Sequence, residues 1–404
     1  MANSGALLQP FSDPAKPHDQ FIKVVKAEGT TLWDANGKKY LDGMASLWYC
    51  QVGHGRSEMV EAITKQLMAT DAYHVFDPFI NQPAIDVADA IIARSPYDTG
   101  RVFLGCSGSE AIDTAFKLIR LVQRVRGHED KQIVIRRTRG YHGTNVGGTS
   151  AQGIESNRVG WGDLVPHFIE VDPDDVEDAA RVFAEHGDRI AGVITEPIQG
   201  AGGVYPPPEG YLEGLRKLCT KHGAILCFDE VIAGFARTGD WFGAQTYGVT
   251  PDMFTFAKGV SSGYQPLSGV AIGPEVSAAL EGMGAMLRHG YTYSGHPAAC
   301  AAGLKNIELI EEWGLIERAN HIGELFKSGF QSLVDDGAIL SYRGVGAIWA
   351  AILPYEAAEV RVRMLDRGVV VRPILDAVAF CPPLTSTDEE IGQMIDVMAD
   401  SLNK

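Results

Sequence analysis

The chain begins in alternation. In "FIKVVKAEGTTLWDANGKKYLDG", Phe21 to Gly43, apolar positions alternate with polar ones, and Asn36-Gly37 marks a tight hairpin turn. Short strands are predicted there. From about Ser57 the period lengthens: "SEMVEAITKQLMAT" and "PAIDVADAIIARS" repeat apolar residues at helical spacing. Short apolar runs then alternate with helical stretches, in the order "RVFLG", "QIVIRR", "HFIEV", "IAGVITEP", "GAILCFDEV", "MFTFAKG" and "SGVAIG". Strands apolar on both faces, separated by helices, predict a mostly parallel sheet covered on both sides. A long helix follows in "HPAACAAGLKNIELIEEW", after which the texture is mixed. "ILSYRGVGAIWAAIL" and "GVVVRP" read as strands, with helices from there to the end. The expected fold class is α/β with a mostly parallel central sheet. Residues 55–295 would form a large domain, and both termini, 1–54 and 296–404, a smaller α+β domain.

Composition narrows the function. At 404 residues the chain is long enough for two domains, and 45% hydrophobic with 21% charged residues is the balance of a soluble globular protein. Acidic residues outnumber basic ones 51 to 35, a net charge of −16 that argues against nucleic acid or an anionic membrane as partner. The first residues, "MANSGALLQPFSDPAKPHDQF", lack the basic-then-apolar order of a signal peptide. No apolar run approaches the roughly 20 residues that span a bilayer. Six cysteines lie far apart without a CxxC pair, which suits free thiols in a reducing cytoplasm. No histidine spacing suggests a metal site.

One lysine stands out. Lys258 follows the apolar run Met253–Ala257 and precedes a glycine-containing turn, at the mouth of a core where lysine is seldom buried. It could simply cap a strand with its stem snorkelling to water. Alternatively, burial lowers its pKa and makes it a nucleophilic amine able to form a Schiff base. Ligands in open α/β sheets bind beyond the carboxyl ends of the strands, so the other strand ends bear on the choice. "GAILCFDEV" ends in Asp229, 29 residues before Lys258, about one strand–helix–strand unit. A carboxylate beside such a lysine can keep a pyridine nitrogen protonated, as pyridoxal phosphate requires to act as an electron sink. "RVFLGCSGSEAIDTAFKLIRL" supplies a turn and a helix start at which the N–H groups of Gly108 and Ser109 could hold a phosphate. Tyr141, in "TRGYHG", could stack on a pyridine ring. Each residue has a plainer reading alone: a helix cap, an unliganded turn, a core aromatic.

Together these residues resemble the class III pyridoxal-phosphate aminotransferases, on the fold-type I architecture. The resemblance runs from "LWDANGKKYLDG" to "VVRPILDAVAFCPPLT" and includes "SGSEA", "YHG", "EPIQGAGGV", "FDEVIAGFARTG", "FAKGVSSGYQPLSG" and "YTYSGHP". It implies that Lys258 carries pyridoxal 5′-phosphate as a Schiff base and shuttles the proton, and that Asp229 pairs with the ring nitrogen. It further implies Tyr141 and Val231 on the two ring faces, Gly108 and Ser109 on the phosphate, and Glu196 nearby. Thr292 would reach the phosphate of the neighbouring subunit, which implies a homodimer with shared sites or a tetramer built from it. Ala201 stands where members acting on ornithine carry a glutamate. This resembles the subgroup of ω-amino acid:pyruvate and amine aminotransferases. By that likeness Arg372 would bind a substrate carboxylate, Trp48 would be an aromatic wall, and Phe76 would come from the partner. The segment between "GAIWAAILPYEAAEVRV" and "GVVVRP" is shorter than that subgroup's pattern. Small-molecule amines and keto acids are the implied substrates.

The same lysine and fold also serve aminomutases, racemases and phospholyases, so the motifs leave the reaction type open. A non-catalytic protein on the same fold is the remaining alternative, against which Lys258 and Asp229 both stand.

Overall fold

A computed structural model describes residues 6–402. Residues 1–5 of the leader reading, and the outermost ends of the expected smaller domain, lie outside the described residues.

Strands β1 (Val24–Glu28), β2 (Thr31–Asp34) and β3 (Lys39–Asp42) form an antiparallel meander. The β2–β3 turn closes on Asp34, whose Oδ1 accepts the N–H groups of Asn36 and Lys38 at 2.9 and 3.0 Å. Gly37 adopts a φ of 81°, a conformation that costs glycine little.

The central sheet comprises β4 (Arg101–Gly105), β5 (Ile133–Arg137), β6 (Phe168–Val171), β7 (Ile190–Thr195), β8 (Ile225–Asp229), β9 (Met253–Phe256) and β10 (Ser268–Ile272). Their order is β4-β10-β9-β8-β7-β5-β6. The pairs from β9 to β6 are parallel, and β10 runs against both of its neighbours. Strands β5, β7, β8, β9 and β10 are buried along their whole length, which explains their unbroken apolar runs. Helix Gly108–Val125 packs on β9 and β10. Its Ile112, Ala115, Ile119 and Val122 meet Ile194, Ile225, Met253 and Val270 in one cluster. Each fully buried aliphatic side chain of this size contributes about 1.5–3 kcal/mol. A charge at Ile119 would therefore detach the helix.

A third, antiparallel sheet has the order β11 (Ser341–Val345), β12 (Ile348–Ile352), β15 (Ala377–Phe380), β14 (Arg372–Ile374). Two sequence expectations change here. "GVVVRP" divides: β13 (Val369–Val370) pairs in parallel with β3, setting Val369 opposite Leu41, while Arg372 begins β14 in the third sheet. Helices were expected from there to the end, but β15 intervenes. Its four residues, "AVAF", place Val378 and Phe380, both strand formers, between small alanines in a run too short to mark a strand alone, and pairing on both edges with β12 and β14 settles it.

Candidate active site

The parallel strands deliver their ends to one cavity of about 160 Å³. Asp229 ends β8, Glu196 follows β7, Tyr141 follows β5, and Lys258 follows β9 after Ala257. These four line the cavity with Gly108, Ser109 and Val231, and also with Ile112, His142, Gly143 and Ile232. Lys258 has a φ of 48°, a left-handed backbone that costs a non-glycine residue energy and tends to persist at functional sites. Burial pulls its ammonium pKa down, opposed by the charges of Asp229 and Glu196. The result is a lysine that gives up its proton more readily than one in water.

Asp229 is 4% exposed and fully bonded. Its Oδ2 lies 2.7 Å from His142 Nδ1, and its Oδ1 accepts the Val231 N–H (3.1 Å) and the Thr255 hydroxyl (3.2 Å). Thr255 stands directly opposite Asp229 in the β8–β9 register. His142 is 1% exposed, and its Nε2 has no partner among the described residues. Sequence reasoning passed over this residue. The signal was present in Tyr141-His142-Gly143, but only the fold shows that the imidazole turns toward a carboxylate 87 residues away.

The opposite end of the cavity is built for an anion. Ser107 caps helix Gly108–Val125 by accepting the Glu110 N–H at 3.2 Å, and Glu110 Oε2 reaches back to the Cys106 N–H at 2.7 Å. Capping thus uses the N–H groups on either side of Gly108 and Ser109. Among the described residues no protein group takes the N–H of these two. Two unspent donors at the positive end of a long helix suit a phosphate. Gly143 closes over them with a φ of 83°, and a Cβ there would lie 2.5 Å from Ser109 Oγ, so only glycine fits. Ser109 Oγ accepts the Thr144 N–H at 3.0 Å.

Glu196 organises the remaining wall. Its Oε1 accepts the Tyr141 N–H at 2.9 Å and its Oε2 the Gly200 N–H at 3.0 Å. Burial raises its pKa, with Asp229 adding to the effect and His142 opposing it. Glu230 does not line the cavity. Its carboxylate accepts the N–H groups of Gly243 (2.8 Å) and Ala244 (2.7 Å), yet burial pushes its pKa up to about 8. Burial lowers the pKa of Arg372, while Tyr141 acts on it in the opposite sense. In return the Arg372 charge acts on Tyr141 and on Lys258. The arginine therefore sits within electrostatic reach of the cavity.

Four expected residues do not line the cavity, Arg372 on β14 among them, and the other three lie elsewhere within the chain. Trp48, expected as a pocket wall, is 2% exposed and does not line the cavity. Left-handed backbone at Ala45, Ser46 and Trp48 carries its indole into an apolar cluster that also contains Ile232, a residue of the cavity lining. Asp42 holds that turn, accepting the Met44 N–H (3.0 Å) and the Ser46 N–H (2.7 Å). Phe76 and Thr292 are exposed. Phe76 lines a second cavity of about 420 Å³ with His289 and Gly290.

Pyridoxal phosphate fits the donor set of the first cavity. The free N–H groups of Gly108 and Ser109 would take its phosphate, and the fixed carboxylate of Asp229 its ring nitrogen. Lys258 supplies the amine between them. Among the described residues no cluster could hold a metal ion, and no helix is long and apolar enough to cross a membrane.

The sequence matches the family described as Aminotransferase class-III over residues 14–402. It is 34% identical to the putrescine–pyruvate aminotransferase of Pseudomonas aeruginosa, over 98% of this chain and 94% of that protein. To the omega-amino acid–pyruvate aminotransferase of Pseudomonas putida it is 33% identical, over 94% and 92%. Among solved structures, it is similar to the omega transaminase from Pseudomonas jessenii in complex with PMP. The TM-score is 0.94 and the identity 33%, covering 99% of this chain and 96% of that one.

Proposed function

Because the chain belongs to the class III aminotransferases, we propose that it moves an amino group from an ω-amino acid or primary amine to pyruvate or a similar keto acid. Its cofactor is pyridoxal 5′-phosphate, which when bound supplies the sink for electrons left on the substrate carbon. Lys258 Nζ would hold the cofactor at rest and, once displaced by the substrate amine, its free amine would take the proton from the carbon bearing that amine and hand it on across the exchange. Asp229 keeps the ring nitrogen protonated, with His142 fixing its free oxygen. Gly108 and Ser109 orient the phosphate, Tyr141 and Val231 hold the ring, and Glu196 holds Tyr141.

The observation that carries the substrate reading is Arg372 within electrostatic reach of Tyr141 and Lys258. A guanidinium there suits the carboxylate of pyruvate. Ala201 packs against the apolar cluster of Trp48 and Ile232 and leaves no acidic partner from its own position. Trp48 acts on the donor side through the apolar cluster it shares with Ile232. Relatives named for putrescine, ω-amino acids and pyruvate support the same substrates.

The enzyme works as a cytoplasmic homodimer, or a tetramer built from two such dimers, with Thr292 and Phe76 completing the partner's site. Exposed Tyr73, Phe76, Phe79, Ile80 and Tyr293 support this, since apolar groups gathered on a surface mark an interface. Residues 55–295 form the large domain and 1–54 with 296–404 the smaller one, a division supported by the pairing of β3 with β13. A donor screen with pyruvate as acceptor tests the reading. Alanine should accumulate with an ω-amine donor; turnover that needs no keto acid would favour a racemase or lyase instead.

A further inference from the structure

Tyr205 is held between two cations. The guanidinium carbon of Arg343 lies 3.6 Å from its ring centroid and that of Arg139 lies 3.9 Å away. Two guanidiniums that close to one centroid cannot share a face, so they cover opposite faces of the ring. Each is anchored independently. Arg139 Nη2 pairs with Asp174 Oδ1 at 2.7 Å. Arg343 Nε donates to the carbonyls of Gly203 (3.0 Å) and Val204 (3.1 Å), and its Nη2 to Gly203 (2.8 Å).

The ring terminates a loop that needs such a clamp. Gln199 and Tyr205 exchange backbone hydrogen bonds of 3.0 Å in both directions, closing residues 199–205 on themselves. The interior, Gly200-Ala201-Gly202-Gly203-Val204, holds three glycines and has little side chain to fix it. Yet this loop touches the cavity wall. Gly200 N–H is bound by Glu196, a Cβ on Gly200 would lie 2.8 Å from Ile232 Cδ1, and Ala201 packs against the apolar cluster that contains Ile232. The two cations come from different elements of the fold. Arg139 precedes Tyr141 by two residues, and Arg343 belongs to β11, in the sheet whose β14 carries Arg372.

We propose that Tyr205, clamped between Arg139 and Arg343, is a positioning residue for donor selection. It holds the glycine-rich loop so that Ala201 stands at a fixed depth in the donor side of the pocket. It touches neither substrate nor cofactor and acts through Ala201 and Ile232. This inference rests on the amine-to-pyruvate reading above.

The test compares Tyr205→Phe with Tyr205→Leu. Phenylalanine keeps both π faces and loses only the hydroxyl; leucine keeps apolar volume without a π face. The half-reactions with 1-phenylethylamine and with alanine are followed on the holoenzyme, and the ratio of the two kcat/KM values is taken. In Tyr205→Leu that ratio should shift by about fivefold, the scale of losing both cation–π contacts, mainly through KM for the larger amine. Cofactor content and kcat with alanine should stay near wild type, and Tyr205→Phe should keep the wild-type ratio. If Tyr205→Leu does not fold, Arg139→Gln replaces it, with a shift of about twofold or more in the same direction expected from loss of one face. An unchanged ratio in the folded variant, or a Phe variant that behaves like Leu, would overturn the proposal while leaving the aminotransferase reading intact. A wild-type enzyme that processes neither amine would overturn both.

Discussion

Replacing His142 with phenylalanine removes the one donor to Asp229 Oδ2 among the described residues and keeps a flat ring in its place. The bond lost is short, 2.7 Å, and both groups are almost wholly buried, at 1% and 4% exposure, so water cannot easily substitute. A hydrogen bond to a charged group is worth about 1.5–3 kcal/mol, and leaving its buried partner unsatisfied costs a similar amount. At about 1.4 kcal/mol per tenfold, one to two orders of magnitude are at stake. Oδ1 keeps its bonds to Val231 and Thr255, so the carboxylate stays in place and the damage falls on its charge. A carboxylate less well held as an anion supports a protonated ring nitrogen less well. Cofactor affinity, from titration of the apoenzyme, should fall, and kcat should drop about 10- to 100-fold even with saturating cofactor. His142→Asn, whose amide can donate from nearly the position of Nδ1, should recover most of both. Wild-type affinity and kcat in His142→Phe would refute the reasoning, as would an Asn variant no better than Phe.

Lys258→Ala should still bind pyridoxal phosphate through Gly108, Ser109 and Asp229, yet lose at least the roughly 10²–10⁴-fold carried by a general base, measured as single-turnover rate. Arg372→Ala should weaken the pyruvate half-reaction by about 1.5–3 kcal/mol and barely touch that with an amine lacking a carboxylate; stopped-flow traces with equal losses would make the arginine structural. Glu230 gives a pH signature. Its carboxyl titrates near pH 4.5 when unfolded and at about 8 when folded, so across that window the native state holds a proton that the unfolded chain has released. Stability should therefore fall as pH rises from about 5 to 8, and Glu230→Gln should flatten that slope in denaturant titrations, whatever its own stability at low pH.

The sequence carried most of the architecture because the strands buried on both faces wrote it as unbroken apolar runs. Each run from "RVFLG" to "SGVAIG" is a strand of the central sheet, and residues at or just beyond the ends of β4, β5, β7, β8 and β9 meet at one cavity. What escaped depends on tertiary partners. Strand β15 is four small or apolar residues that pair only because β12 and β14 lie on either side. His142 was visible beside Tyr141, but its direction is set where β5 and β8 bring their ends together. The inward turn of Trp48 arises from left-handed backbone at three non-glycine residues, which local propensity argues against. Arg343 and Tyr205 stand 138 residues apart, and no periodicity links them.

The central claim is that Lys258 is the amine that holds the cofactor. Borohydride reduction of the purified holoenzyme, followed by digestion and mass spectrometry, tests it directly. Reduction converts the carbon–nitrogen double bond into a stable secondary amine. A phosphopyridoxyl group should then appear on the peptide containing Lys258, should be absent when the enzyme is first converted to its amino form with excess amine donor, and should return after pyruvate is added. A label on another lysine, or one on Lys258 that neither amine donor nor pyruvate changes, would contradict the account.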